Sequence, residues 1–105
     1  MDLKDKTIAI TGGGRGLGAA MALRLASRGA KLALVDLDED ALKSTAAECE
    51  KAGSPQVAVY KANVAEEESV VSLFEDIGND FGALHGLVNN AGITRDALTL
   101  KVKDG

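Results

Sequence analysis

Thr11-Gly12-Gly13-Gly14-Arg15-Gly16-Leu17-Gly18 is the stretch from which the fold is read. Just before it stands Thr7-Ile8-Ala9-Ile10, short, apolar and β-prone. Just after it a small-residue helical pattern begins. Strand, glycine turn and helix together give a glycine-rich string its meaning. Glycine lets the backbone pass close to a ligand and adopt angles that a Cβ forbids. The N–H groups of the following helix then face an anion with no side chain between. The pyrophosphate of a dinucleotide is such an anion.

Outward from this turn the chain alternates. Residues ~6–11 read as a strand. Residues ~17–28 read as a helix, with Gly18, Met21, Ala22, Leu25 and Ala26 on one stripe, Arg24 and Arg28 on the wet face and Gly29 as the stop. Lys31 to Asp36 form a second strand. Residues ~39–52 form a second helix with Leu42, Thr45, Ala46 and Cys49 inward, ended by Gly53. Gln56 to Lys61 are a third strand. Residues ~66–81 are a third helix with Val70, Phe74, Ile77 and Phe81 inward. Glu66, Glu67 and Glu68 occupy its first turn, where the helix dipole favours them. Residues ~84–89 are a fourth strand. This order predicts an α/β, Rossmann-type doubly wound parallel sheet, about four strands and three helices. Right-handed crossovers restrict the topology to a few choices, and the glycine turn is then expected at the switch point, where ligands bind.

Composition narrows the function classes. A chain of 105 residues is at most one domain. Its net charge of −4 gives no basic field for nucleic acid or an anionic membrane. No apolar run approaches the ~20 residues of a membrane span, and the N-terminus lacks a signal core. A single cysteine allows no internal disulfide, which fits a cytoplasmic protein.

Asp36 closes the second strand at the spacing from Gly18 that brings a carboxylate to the adenosine ribose. There it accepts from the 2′- and 3′-hydroxyls and repels a 2′-phosphate. An ordinary strand-end turn is the plainer role for the same residue. A phosphate-receiver domain would need acidic residues where Thr11-Gly12 stand, and a P-loop would need Gly-Lys-Ser/Thr. A methyltransferase could share the glycine loop and Asp36.

The string also matches the Thr-Gly-x-x-x-Gly-x-Gly pattern of short-chain dehydrogenases and reductases. Asn63-Val64 stands after the third strand, where that family usually has Asp-Val. Asn89-Asn90-Ala91-Gly92 matches its Asn-Asn-Ala-Gly at the end of the fourth. From Lys6 to about Asp96 the chain resembles this family, and Ile93-Thr94-Arg95-Asp96 is similar to its 3-oxoacyl-acyl-carrier-protein reductase branch. The resemblance implies that Gly12 makes the turn, and that Gly14, Arg15, Gly16 and Leu17 approach the cofactor phosphates and ribose. It implies that Gly18 packs the helix on the sheet. Asp36 and the adjoining Leu37 join this cofactor-binding set. Asn63 and Val64 would meet the adenine, Asn63 through an uncharged amide oxygen, and Asn90, Ala91 and Gly92 the adenosine ribose. Asn89 would serve the backbone more than the ligand. Arg15 argues for NADP, as basic loop residues do in the reductase branch. Asp36 stands at the 2′-position directly and favours NAD.

The family's chemistry needs a Ser, a Tyr and a Lys four residues after that Tyr. Tyr60 is the only tyrosine, and Val64 stands four residues on; no serine follows Ser72. No catalytic residue is therefore assigned. The chain reads as the cofactor-binding portion, 1–105, of a single longer domain, and is expected to be inactive alone. Cys49 reads as core. His85 has no second histidine or cysteine near it, so no metal site is expected. The full-length protein implied is an NAD(P)-dependent reductase of a small-molecule or acyl-carrier-bound carbonyl, active in fatty acid biosynthesis and built as a homotetramer. A non-catalytic dinucleotide-binding module is the alternative.

Overall fold

Each element begins and ends where local chemistry directs. In the computed structural model, which describes residues 3–14 and 16–90, the order is β1 (Thr7–Thr11), α1 (Gly16–Ser27), β2 (Lys31–Asp36), α2 (Glu39–Ala52), β3 (Val57–Lys61), α3 (Glu67–Phe81) and β4 (Gly86–Asn89). Arg15, Ala91, Gly92 and Ile93 to Asp96 lie outside the described residues. The Asp38 carboxylate caps α2 by accepting from the Ala41 N–H at 3.1 Å. Gly53, at φ 126°, ends α2 and donates to the Cys49 and Glu50 carbonyls. Beyond α1 the Gly29 N–H donates to the Ala26 carbonyl at 2.9 Å and the Ala30 N–H to that of Leu25.

The four strands pair in the order β3-β2-β1-β4, all parallel. Ile8 and Ile10 of β1, with Leu32 and Leu34 of β2, pack on one side against Ala22 and Ala26 of α1 and Leu42 and Cys49 of α2. Ala9, Ala33 and Val35 face the other side, against Leu73 and Ile77 of α3. Buried on both faces, the two central strands read as continuous apolar runs rather than alternating ones. The chain moves outward from β1 to β3 and then returns to the far side of β1. Right-handed crossovers must therefore place α3 on the face opposite α1 and α2. The reversal falls between β1 and β4, and the glycine turn leaves the C-terminal end of β1 beside it.

Two expectations shift. The buried centre of α3 is Leu73 with Ile77, one turn apart, whereas Phe74 and Phe81 pack half-buried at its flanks and Val70 is half-buried. Leu73 was not among the residues expected inward. The helix carries apolar residues over a wide arc, so periodicity alone did not fix its axis. The fourth strand begins at Gly86 rather than near Leu84, because its ladder starts where Ile8 pairs with Gly86. His85 sits at this entry, accepting the Thr7 N–H on Nδ1 at 2.9 Å while its own N–H donates to the Thr7 carbonyl at 2.8 Å. No helix among the described residues is long and apolar enough to cross a membrane.

If α3 is seated by Leu73, its replacement by alanine should lower unfolding free energy by about 2–5 kcal/mol. Val71→Ala, on the exposed side of the helix, should stay within about 0.5 kcal/mol. Urea denaturation of both variants checks the orientation.

Candidate functional site

The loop between β1 and α1 is built on close backbone approach. A Cβ placed on Gly18 would collide with the Gly12 carbonyl oxygen and would stand 2.8 Å from Asn90 Nδ2. Only glycine lets the first turn of α1 rest directly on the end of β1. Gly12 and Gly16 have φ of 70° and 61°, in the left-handed region that other residues rarely adopt. Together they turn the chain so that α1 starts at the switch point. The first N–H groups of α1, including those of Gly16, Leu17 and Gly18, have no acceptor within the helix by geometry. Leu17 is exposed.

The second half of the loop is tied to β2 and α2. The Gly13 N–H donates to the Val35 carbonyl at 3.0 Å. The Gly14 N–H donates to Asp36 Oδ2 at 3.0 Å, and the Gly14 carbonyl accepts from the buried Thr45 hydroxyl at 2.9 Å. Gly14 therefore contributes its position to the site, since its N–H and carbonyl both have protein partners. A Cβ there would lie 2.9 Å from Asp36 Oδ2 and 3.0 Å from the Ala41 Cβ.

Asp36 is both a turn residue and a candidate ligand group. Its Oδ1 accepts from the Leu37 N–H at 2.7 Å and the Asp38 N–H at 3.2 Å. A carboxylate offers about four acceptor positions, so Oδ2, with Gly14 as its partner, retains capacity for a further donor. Beside it opens a cleft of about 240 Å³ lined by Gly12, Val35, Asp36, Leu37, Ala62, Asn63, Val64 and Ala65. Its lining is mostly apolar, and its size suits a flat heterocycle rather than a whole dinucleotide. Leu37 is exposed at its rim. Asn63 Oδ1 already accepts from the Ala65 N–H at 3.0 Å, which leaves the amide oxygen one further acceptor position.

At the end of β4 the two asparagines divide their work. Asn89 Oδ1 accepts from the Thr11 hydroxyl at 2.8 Å, tying β4 to β1. Asn90 Nδ2 reaches the Gly12 carbonyl at 3.4 Å, so it braces the glycine turn. Gly12, Gly14, Gly16, Leu17, Gly18, Asp36, Leu37, Asn63, Val64 and Asn90 thus gather at one end of the sheet. The site's fit to a dinucleotide rests on three features: a glycine turn whose close packing seats α1 on the end of β1, a helix N-terminus at the switch point, and a mostly apolar cleft ending in a carboxylate. A larger groove of about 520 Å³ lies between β3 and α3, lined by the carboxylates Glu68 and Asp76 together with Tyr60, Lys61, Ser69 and Ser72. Its lining includes no residue of the glycine turn.

A family model for short chain dehydrogenases matches residues 6–105. The chain belongs to the short-chain dehydrogenase family. Levodione reductase of Leifsonia aquatica is 44% identical over 90 residues, covering 85% of this chain and 34% of the reductase. The 3-oxoacyl-[acyl-carrier-protein] reductase FabG of Haemophilus influenzae is 39% identical over 102 residues, covering 97% of this chain and 40% of that protein. The crystal structure of NAD+-bound xylitol dehydrogenase superposes with a TM-score of 0.83 at 35% identity, covering 88% of this chain and 35% of that one. This short-chain dehydrogenase sequence therefore spans about a third to two-fifths of the length of those relatives.

Thr45 is the residue that pattern reading missed. It fell on an apolar helical stripe and was counted with the core. A hydroxyl in a buried stripe needs a partner, and that requirement was the available signal. Tyr60 is held away from the site: its hydroxyl donates to Asp80 Oδ2 at 2.7 Å, and burial together with that carboxylate raises its pKa. A tyrosine that gives up a proton in catalysis needs the opposite shift. Cys49 is fully buried, and burial, with Glu48 and Glu50 adding to it, pushes its thiol from 9.0 up to about 11.

Two outcomes follow from this geometry. Gly18→Ala should destabilise by about 3 kcal/mol or more, because backbone must move. Gly16→Ala, with nothing within 4 Å of its Cβ, should cost only about 1–2 kcal/mol for its left-handed backbone; urea midpoints separate the two. Because its folded pKa is raised, Cys49's contribution to stability is complete below the unfolded value of 9.0 and is lost as pH rises through about 11. A Cys49→Ala variant titrated across that window should lose less stability than the wild type.

Proposed function

We propose that this chain is the cofactor-holding part of an oxidoreductase that moves hydride between a nicotinamide dinucleotide and a carbonyl. The observation that carries the reading is the glycine turn at the β1/β4 switch point with the Asp36 carboxylate fixed beside a mostly apolar cleft. When bound, the dinucleotide supplies the hydride. The residues here bind and orient it. The N–H groups opening α1 face its pyrophosphate, where the helix dipole favours negative charge. Leu37 and Val64 flank the adenine, with Asn63 accepting from its amino group. Arg15, Ala91 and Gly92, outside the described residues, are assigned to the phosphates and ribose by the family resemblance alone.

NAD is the favoured cofactor. Asp36 accepts from a ribose hydroxyl through Oδ2, and its charge opposes a 2′-phosphate. The NAD+-bound xylitol dehydrogenase among the structural relatives supports the same choice. The substrate of the full-length protein is a small-molecule or acyl-carrier-bound carbonyl, with a 3-oxoacyl thioester suggested by the similarity to the Haemophilus reductase. The full-length protein works as a homotetramer in the cytoplasm. The present residues hold cofactor without turnover, because Tyr60 lacks a lysine four residues on and no serine follows Ser72.

Calorimetric titration with NAD and with NADP tests this reading. Binding should be tighter for NAD, and Asp36→Ala should weaken NAD by about ten- to a hundredfold, the worth of hydrogen bonds to a charged group. Tighter NADP binding by the wild type would overturn the role of Asp36. Steady NADH oxidation by this chain with a 3-oxoacyl thioester would overturn its assignment as cofactor-holding only.

A further inference from the structure

We infer that Thr45 is a positioning residue for cofactor selectivity, acting on Asp36 through the backbone of Gly14. The inference rests on the reading of Asp36 as the group that meets the adenosine ribose. Thr45 lies on α2, three residues after Leu42, and is 5% exposed. Its hydroxyl donates to the Gly14 carbonyl at 2.9 Å in a buried setting. The Gly14 N–H, one residue's backbone away, donates to Asp36 Oδ2 at 3.0 Å. Gly14 is thereby held at both its polar atoms, by one side chain from α2 and one from the end of β2.

The consequence concerns orientation. Asp36 Oδ1 is fixed by the N–H groups of its own turn, Leu37 and Asp38. Oδ2 is the oxygen with capacity for a ligand, and its protein partner is the Gly14 N–H. Without the Thr45 hydroxyl, the Gly14 carbonyl would be buried with its partner removed, and the backbone at Gly14 would shift to find another. The Gly14 N–H, on the other side of the same Cα, would move with it relative to Oδ2, leaving the carboxylate tied to its own turn through Oδ1 alone. A carboxylate held at one oxygen accepts less well from a ribose hydroxyl and opposes a 2′-phosphate less firmly. Loss of Thr45 should therefore erode discrimination, not merely affinity.

Titration calorimetry of NAD and NADP on the wild type, Thr45→Val, Thr45→Ala and Thr45→Ser provides the test. Thr45→Val keeps the shape and removes the hydroxyl. Thr45→Ala, a better helix former, serves if the valine variant does not fold. Each variant that folds without the hydroxyl should lower the ratio of NAD to NADP affinity by about tenfold, equivalent to one hydrogen bond to a charged group. Thr45→Ser should restore the wild-type ratio. Gly14→Ala approaches the carboxylate from the other side, its Cβ 2.9 Å from Oδ2, and should lower the ratio with Thr45 intact. Equal losses for both nucleotides in the valine or alanine variant, or no loss, would overturn the inference and leave the cofactor reading standing. A wild type that binds neither nucleotide would overturn the cofactor reading itself.

Discussion

The Gly12 carbonyl oxygen occupies the space that any side chain at Gly18 would need. Because Gly18 has no Cβ, the first turn of α1 can sit on the end of β1, and the rest of the site takes its position from that contact. The N–H groups opening α1 are carried to the point where the sheet reverses direction. Asn90 fills the remaining side of the same contact and joins β4 to it. A bulkier residue at Gly18 would lift the helix from the strand and move the cradle away from the Asp36 cleft.

Around that contact two tethers fix the loop's outer half. Gly13 is bound to the Val35 carbonyl, and Gly14 to Asp36 and Thr45. The loop is therefore joined to two further elements, β2 and α2, and shaped before a ligand arrives. Such preorganisation lowers the ordering cost of binding. Burial of both faces of β1 and β2 makes the platform stiff, since their side chains pack against α1 and α2 on one side and α3 on the other.

The alternation of elements was legible because the signals were strong. Gly29 and Gly53 mark helix ends, and Asp38 caps α2 with its own carboxylate. Crossover handedness narrowed the sheet to a few topologies, and strand pairing in the structure selects the order β3-β2-β1-β4 among them. Leu73 was harder, because Val70, Val71, Phe74, Ile77 and Phe81 offer several apolar faces and tertiary packing chooses among them. Within the site, spacing pointed to Asp36 and the glycines, which the structure gathers at one end of the sheet, whereas Asn89, expected to serve the backbone, holds the Thr11 side-chain hydroxyl. Thr45 was hidden because its partner, Gly14, is remote in sequence and no periodicity records a side chain's distant acceptor. The use of the Gly14 N–H by Asp36 was hidden for the same reason.

The central claim is that one end of this sheet is a preformed dinucleotide cradle. Its most direct test is an NAD titration followed by backbone amide NMR. The account predicts the largest shifts at Gly16, Leu17 and Gly18, at Asp36 and Leu37, and at Asn63 and Val64. Shifts centred instead on Tyr60, Ser72 and Asp76, in the groove between β3 and α3, or no saturable shift at all, would contradict it.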